Sequence, residues 1–209
     1  ISINKQIAGD GAFYKNNKIN INLNNNKMTI QELALQGKHN IYNSMAAAIA
    51  TRILDVKNDI IRQSMLDFQN IEHRLEYVLT VHGIDFINDS KASNVNASWY
   101  ALESMTKPVI WIVGGVDKGN DYNEIKELVK EKVKVIVCLG ESSKKIQKYF
   151  KKIVNKIETA SSMQEAVKAS YSLADKGDVV LLSPTCASFD LFDNFEQRGQ
   201  EFKNQVRKL

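Results

Sequence analysis

Residues 88–94 read Asn-Asp-Ser-Lys-Ala-Ser-Asn and follow directly on the apolar run Ile84-Asp85-Phe86-Ile87. An acid, an amine, two hydroxyls and two amides stand close together where a predicted strand ends. Three further polar segments follow apolar runs: Gly-Gly-Val-Asp-Lys-Gly-Asn-Asp at 114–121, Gly-Glu-Ser-Ser-Lys-Lys at 140–145 and Ser-Pro-Thr-Cys-Ala-Ser-Phe-Asp at 183–190. Gly114-Gly115 permits a tight turn and close backbone approach to a ligand, and Lys118 then brings a mobile cation. Ser183, Thr185 and Ser188 offer hydroxyls, and backbone N–H groups ahead of a helix suit a carboxylate or phosphate. Asp89 can accept from hydroxyls such as those of a ribose, and Lys91 can neutralise an anionic oxygen. These parts favour anionic, amino-acid-like or phosphate ligands.

Taken singly, each of these residues also has a plainer explanation. A lone loop lysine is usually a solvated charge. The Gly-Gly-x-x-Lys pattern is not the G-x-x-x-x-G-K-[ST] phosphate loop, which occurs nowhere in the chain. Cys186 has no evident base partner and reads as a small packed side chain. His82 falls in a hairpin turn, His73 reads as a linker residue and His39 precedes a helix. The functional reading therefore depends on whether the segments share one place in the fold.

The elements around them say that they do. Leu75–Val81 and Ile84–Ile87 flank Gly83 as a hairpin, and strands are predicted at 109–113, 133–139, 179–183 and, more weakly, 153–158. Helices are predicted at 95–105, 122–131, 142–151, 162–174 and 194–207. Asp121 with Glu124, and Ser162 with Glu165, fit an N-cap followed by an acid three residues on. Val/Ile/Leu strands separated by helices imply an α/β fold, a Rossmann-like and mostly parallel sheet with helices on both faces. In such a sheet all strand-to-helix loops emerge at the carboxyl edge, where ligands bind. The return loops (Met105–Pro108, Lys130–Lys132, Asp175–Asp178) are plainer, so the polar chemistry is one-sided.

Residues 1–35 alternate weakly between turn clusters and read as short strands and hairpins. A buried helix over 40–54 and a second helix over 58–68 follow. This opening has too little apolar material for a convincing core of its own. It reads as an incomplete α/β piece ending a domain that begins further upstream, consistent with a first residue, Ile1, that is not Met.

Composition bounds the rest. The 209 residues are 44% apolar and 25% charged with a net charge of +4, which describes an ordinary soluble protein. The longest apolar runs are strand-sized, so no membrane span is expected, and no signal peptide opens the chain. Two distant cysteines argue against a disulfide framework or a zinc site and suit a reducing cytoplasm. The basic run from Lys144 to Lys156 is interleaved with Ile, Tyr, Phe and Val at amphipathic spacing, a solvated face rather than a nucleic-acid patch.

The segments HRLE (73–76), NDSKASN (88–94), GGVDKG (114–119), LLSPTCASFDLFDNFEQRG (181–199) and GKHNIYNSMAA (37–47) occur together in the order and spacing of a known family. The chain resembles the Mur ligases of peptidoglycan synthesis, in particular the branch that adds D-glutamate. The likeness covers about the whole chain. Ser93 stands where that branch usually has Thr, and Thr185 where it usually has Ala. By the resemblance, residues 1–71 are the end of a central ATP-binding domain and 72–209 a complete C-terminal, D-glutamate-binding domain. The full enzyme would use ATP and Mg2+ to phosphorylate the alanyl carboxylate of UDP-N-acetylmuramoyl-L-alanine, and the D-glutamate amine would displace phosphate through a tetrahedral intermediate. Carried over by motif, Asn40 and Asn43 lie near the adenine, Asp89 binds the ribose, His73 belongs to the nucleotide site and Arg74 reaches the phosphates. Lys91, with Arg74, serves catalysis, facing the reacting phosphate and acyl region. Ser93, Lys118, Ser188 and the backbone around Phe195 hold the D-glutamate carboxylates. Metal ligands are expected in the missing part, with no metal site in this chain. The resemblance further implies a cytoplasmic monomer with no nucleic-acid or membrane partner, and 209 residues that do not ligate alone. Rival readings are a nucleotide-binding or regulatory module without catalysis, or another Mur or folylpolyglutamate-type ligase.

Overall fold

The computed structural model describes residues 1–3, 5, 9–31, 33, 38–68 and 71–209, at 38 and 39 for the backbone only. These form two compact units, Ile1–Asn70 and Ile71–Leu209.

In the first unit, β1 (Ser2–Ile3), β2 (Gly11–Lys15), β3 (Lys18–Leu23) and β4 (Asn26–Ile30) make a sheet in that order. The turns at Asn16-Asn17 and Asn24-Asn25 have positive φ at both residues, the geometry that two-residue hairpins require and asparagine tolerates. On β3 the buried Ile19 and Ile21 alternate with Asn20 and Asn22, so one face is apolar. Against it pack α1 (Lys38–Ile53) through Met45 and Ala48, and α2 (Asn58–Asp67) through Ile61. The first helix, expected to be buried, is buried on the side of Met45 and Ala48, while Ala46 and Ala47 face solvent. It also starts earlier than expected, so His39 lies in its first turn rather than ahead of it. Gly37, the first residue of the GKHN motif, lies outside the described residues.

The second unit opens with a hairpin, β5 (Glu76–Val81) and β6 (Ile84–Asn88), turned by His82 and Gly83 at φ 48° and 85°. There follow α3 (Val95–Ser104), β7 (Val109–Val113), a 3-10 turn (Tyr122–Ile125), α4 (Lys126–Lys132), β8 (Val133–Leu139), α5 (Ser143–Phe150), β9 (Lys156–Ala160), α6 (Met163–Leu173), β10 (Val179–Leu182) and α7 (Phe195–Val206). The sheet order is β5-β6-β10-β7-β8-β9, parallel except for β5.

β7 is buried throughout because both of its faces are covered. Val109, Trp111 and Val113 point into a layer shared with α3, α4 and α5; Ile110 and Ile112 point into the layer beneath α6 and α7. Burial of each such Val or Ile contributes roughly 1.5–3 kcal/mol, so this strand anchors the rest.

Two expectations need adjusting, and a third holds. The weak strand foreseen at 153–158 runs instead over Lys156–Ala160, because Ile153 and Val154 close the α5 turn and pack as core. The helix foreseen from 122 is broken into a 3-10 turn and α4; Asp121 caps only the first piece, accepting from Asn123 N at 2.9 Å. Ser162 does cap α6, accepting from Glu165 N, and the Glu165 carboxylate reaches back to Ser161 N and Oγ at 2.8 and 2.7 Å.

Candidate ligand site at the carboxyl edge of the sheet

The loops leaving β6, β7 and β10 are laced together at one sheet edge. Gly114 N donates to Pro184 O (3.0 Å), Val116 N to Ala187 O (2.9 Å) and Ala187 N back to Val116 O (3.2 Å). Asn120 Nδ2 adds a bond to Thr185 O at 3.0 Å. This closeness requires glycine: a Cβ on Gly114 would stand 2.0 Å from Leu139 O, and one on Gly115 2.1 Å from Ala187 O, both at positive φ. Asp117 stiffens the same loop, accepting from Gly119 N and Asn120 N at 2.9 and 2.7 Å and from the Lys145 ammonium. Lys118 projects from this rigid turn into solvent.

The NDSKASN loop is held as firmly. β6 continues through Asn88, whose Nδ2 donates to Glu76 Oε2 and to His73 Nδ1, each at 2.9 Å, while its Oδ1 accepts from Ser90 N. Asp89 N donates to Leu182 O, and Lys91 N to His73 O. Asp89 is buried and both its oxygens are engaged: Oδ1 accepts from Leu75 N (3.2 Å), Oδ2 from Ser183 Oγ (2.9 Å). Burial raises its pKa to about 7, against the lowering effects of the Ser183 hydroxyl, the Leu75 N–H and the Arg74 charge. Lys91 is exposed, its ammonium 4.5 Å from the Phe195 ring centroid. Asn194 caps α7 by accepting from Gln197 N (2.7 Å), which places Phe195 in the first turn beside that loop.

His73 is not a simple linker. It is 5% exposed, has φ 65°, and its ring lies edge-on to Phe195. A Cβ at Gly199 would meet its Nδ1 at 2.2 Å, so this glycine is what admits the ring. Burial, then the Lys203 charge, lower its pKa and favour the neutral imidazole. Lys203, 4% exposed, donates to Glu76 Oε1 and Glu72 Oε1 at 3.0 and 3.1 Å. Burial works against its charge, but the two carboxylates more than offset that and raise its pKa. Arg74, between these ordered residues, is exposed.

Not every hydroxyl faces a ligand. Ser183 and Thr185 are wholly buried and turned inward, Ser183 toward Asp89 and Ser98, Thr185 toward Cys186. Ser93 is partly exposed, and Ser188 is 3% exposed at the start of the segment leading to α7. Cys186 is buried as expected, and both cysteines are free. Asn40 and Asn43 lie three residues apart on α1, in the first unit. Among the described residues, no group of three or more His, Cys, Asp or Glu could hold a metal ion. The residue overlooked in the sequence is Arg198, on α7 and 1% exposed, whose guanidinium bonds to Ser90 and Cys186. Its signal was there: Phe195, Gly199, Phe202 and Val206 make a helical apolar stripe, and Arg198 sits on it rather than opposite.

A family model described as "Mur ligase, glutamate ligase domain" matches residues 73–186, more than half of the chain. The chain belongs to the Mur ligase family. The UDP-N-acetylmuramoylalanine–D-glutamate ligase of Christiangramia forsetii is 53% identical over 210 residues, covering 100% of this chain and 47% of that protein. The enzyme of the same name from Porphyromonas gingivalis is 52% identical, covering 93% of this chain and 44% of its own length. This Mur ligase chain thus spans about half the length of the curated relatives it matches. Among solved structures, a pseudomurein peptide ligase type C from Methanothermus fervidus aligns with a TM-score of 0.71 at 20% identity, over 94% of this chain and 41% of that one. FolC of E. coli, solved in complex with ADP, aligns at 0.67 and 15% identity, over 95% and 47%. These two likenesses show the fold. Among the described residues, no helix of this Mur ligase is long and apolar enough to cross a membrane.

Proposed function

We propose that this chain is the D-glutamate-binding part of an ATP-dependent ligase that joins D-glutamate to UDP-N-acetylmuramoyl-L-alanine through an acyl phosphate, working as a cytoplasmic monomer. Residues 72–209 are its C-terminal domain and 1–71 the end of its ATP-binding domain. The observation that carries this reading is the 53% identity, across the whole chain, with a relative named for that activity. The convergence of the three loops at one edge supports it physically.

In this reading Lys118, Ser93, Ser188 and the backbone at Phe195 hold the two carboxylates of D-glutamate. Lys91, steadied over the Phe195 ring, faces the charge that develops on the acyl phosphate, and fixed cations are most effective where charge appears during reaction. Asp89 and Arg74 serve the nucleotide ribose and phosphates, with His73 behind them and Asn40 and Asn43 toward the adenine. ATP brings Mg2+, for which the described residues supply no ligand set, so no step is assigned to the metal.

The test is a titration of the 209-residue chain with D-glutamate, followed by the amide resonances of 88–94, 114–121 and 183–195. Shifts in these loops with D-glutamate, and weaker ones with L-glutamate, are expected. Equal response to both enantiomers, or none, would overturn the assignment. With ATP, magnesium and the UDP-sugar added, the chain alone is expected to release no phosphate.

A further inference from the structure

Arg198 lies in the first turns of α7, and its guanidinium bonds to two loops of the ligand edge. Nε donates to Ser90 Oγ (3.0 Å), Nη2 to Ser90 O (2.7 Å) and Nη1 to Cys186 O (3.0 Å). The Ser90 hydroxyl donates onward to Phe195 O at 2.7 Å, returning to the same helix. Every acceptor is neutral. Among the described residues, no carboxylate forms an ion pair with this guanidinium. Burial lowers its pKa to about 10, still high enough to keep it charged at neutral pH.

A buried cation whose hydrogen-bond acceptors are all neutral, favoured only through space by the Asp190 carboxylate, is a costly way to stabilise a fold, since an apolar side chain of similar volume often does as well. What the guanidinium offers that such a side chain cannot is geometry. It is a planar fork whose donors have fixed separations. Here one arm grips Ser90, next to Lys91, and the other grips Cys186, two residues before Ser188. A single rigid group therefore spans the loop carrying the catalytic lysine and the loop carrying the carboxylate-binding serine. Its charge also biases that edge toward anions.

We propose that Arg198 is a positioning residue that sets the spacing between the Lys91 loop and the Ser188 loop, and that this spacing selects an amino-acid ligand by the separation of its two carboxylates. The selection rests on the D-glutamate reading above; the coupling of the loops does not. A lysine in its place keeps the charge but, as a compact ammonium on a flexible stem, cannot hold both loops at fixed distance.

The experiment compares the wild-type chain with Arg198→Lys and Ser90→Ala by amide hydrogen exchange and by titration with D-glutamate and D-aspartate. Ser90→Ala removes the acceptor of Nε while leaving the two bonds to carbonyls, and keeps the test open should Arg198→Lys not fold. In Arg198→Lys, exchange at 91–93 and at 187–188 should rise together by about tenfold or more, as expected for loss of charge-assisted bonds, with β7 and β8 unchanged. Ser90→Ala should move the same amides by less. D-glutamate should bind about tenfold more weakly to Arg198→Lys, and its preference over D-aspartate should narrow. Unchanged exchange, faster exchange in one loop only, or looser loops with the preference intact would overturn the proposal. If the wild-type chain ignores D-glutamate, the functional reading falls and the exchange measurement alone decides whether Arg198 couples the loops.

Discussion

The Nδ2 of Asn88 donates to the Nδ1 of His73 across 2.9 Å, inside the protein and fifteen residues back along the chain. Because an amide nitrogen can only donate, the imidazole must accept at Nδ1 and carry its proton on Nε2. The end of the strand that leads into NDSKASN is thereby fixed to the HRLE segment, which holds Arg74. The ring fits only because residue 199 has no side chain.

From this contact follows a prediction about Gly199. Gly199→Ala should destabilise the second unit by about 1–3 kcal/mol, the usual range for overpacking a tight site. In a His73→Ala background, where the ring is gone, the same substitution should cost little. A double-mutant cycle by urea denaturation measures the difference. Additive effects would mean that the ring and the glycine are not in contact.

Gly115 and Gly119 lie on one loop, both at positive φ, but only Gly115 is crowded: its Cβ would sit 2.1 Å from Ala187 O, whereas nothing stands within 4 Å at Gly119. Gly119→Ala should cost about 1–2 kcal/mol, the conformational penalty alone. Gly115→Ala must in addition push the Ala187 loop away and break both Val116–Ala187 bonds, so its cost should be about 2–3 kcal/mol greater. Thermal unfolding of the two variants gives the comparison, and equal losses would remove the close approach as the cause.

Lys118 makes a different prediction because it is exposed on a turn that other residues hold rigid. Lys118→Ala should change stability by less than about 0.5 kcal/mol. In a full-length ligase carrying this domain it should raise the D-glutamate KM about 10- to 100-fold, through loss of a charge-assisted hydrogen bond, with the ATP KM little changed. A normal D-glutamate KM would take Lys118 out of the site.

The parts of this fold that could be read in the sequence are those governed by local pattern. Val109–Val113 announces a strand buried on both faces, and Ser162 with Glu165 announces the start of α6, because each depends on neighbours in the chain. The one-sidedness of the loops follows from alternation of strand and helix. What stayed hidden depends on contacts over long separations. That Ser183 turns inward to Asp89, 94 residues away, cannot be seen from either segment alone. Arg198 was passed over because a charged residue on a helix is usually solvated, and its acceptors, Ser90 and Cys186, lie on two other loops. His73 looked like a linker because nothing local shows that Asn88 and Gly199 will enclose it.

Asp89 carries the last prediction. Its folded pKa is raised to about 7 from the ordinary 3.8, chiefly by burial. For an acid shifted upward, the folded state holds the proton more tightly than the unfolded chain does. Its contribution is therefore most favourable below the unfolded pKa and is lost as pH rises toward 7. At higher pH the carboxylate must be buried charged, at a cost of up to about 4 kcal/mol from the size of the shift. Glu76, Asp85 and Asp117 act in the opposite sense: their folded pKa values are lowered, so their contributions are lost as pH falls. Comparing wild type with Asp89→Asn isolates the one term from the others. The amide stays neutral, and its oxygen can still accept from Leu75 N or from Ser183 Oγ. The stability of Asp89→Asn relative to wild type should therefore improve from pH 5 to pH 8, with most of the change between about pH 5 and 7. Denaturant midpoints at half-unit steps of pH provide the measurement, and a difference that stays flat across this range would mean that Asp89 titrates as an ordinary surface acid.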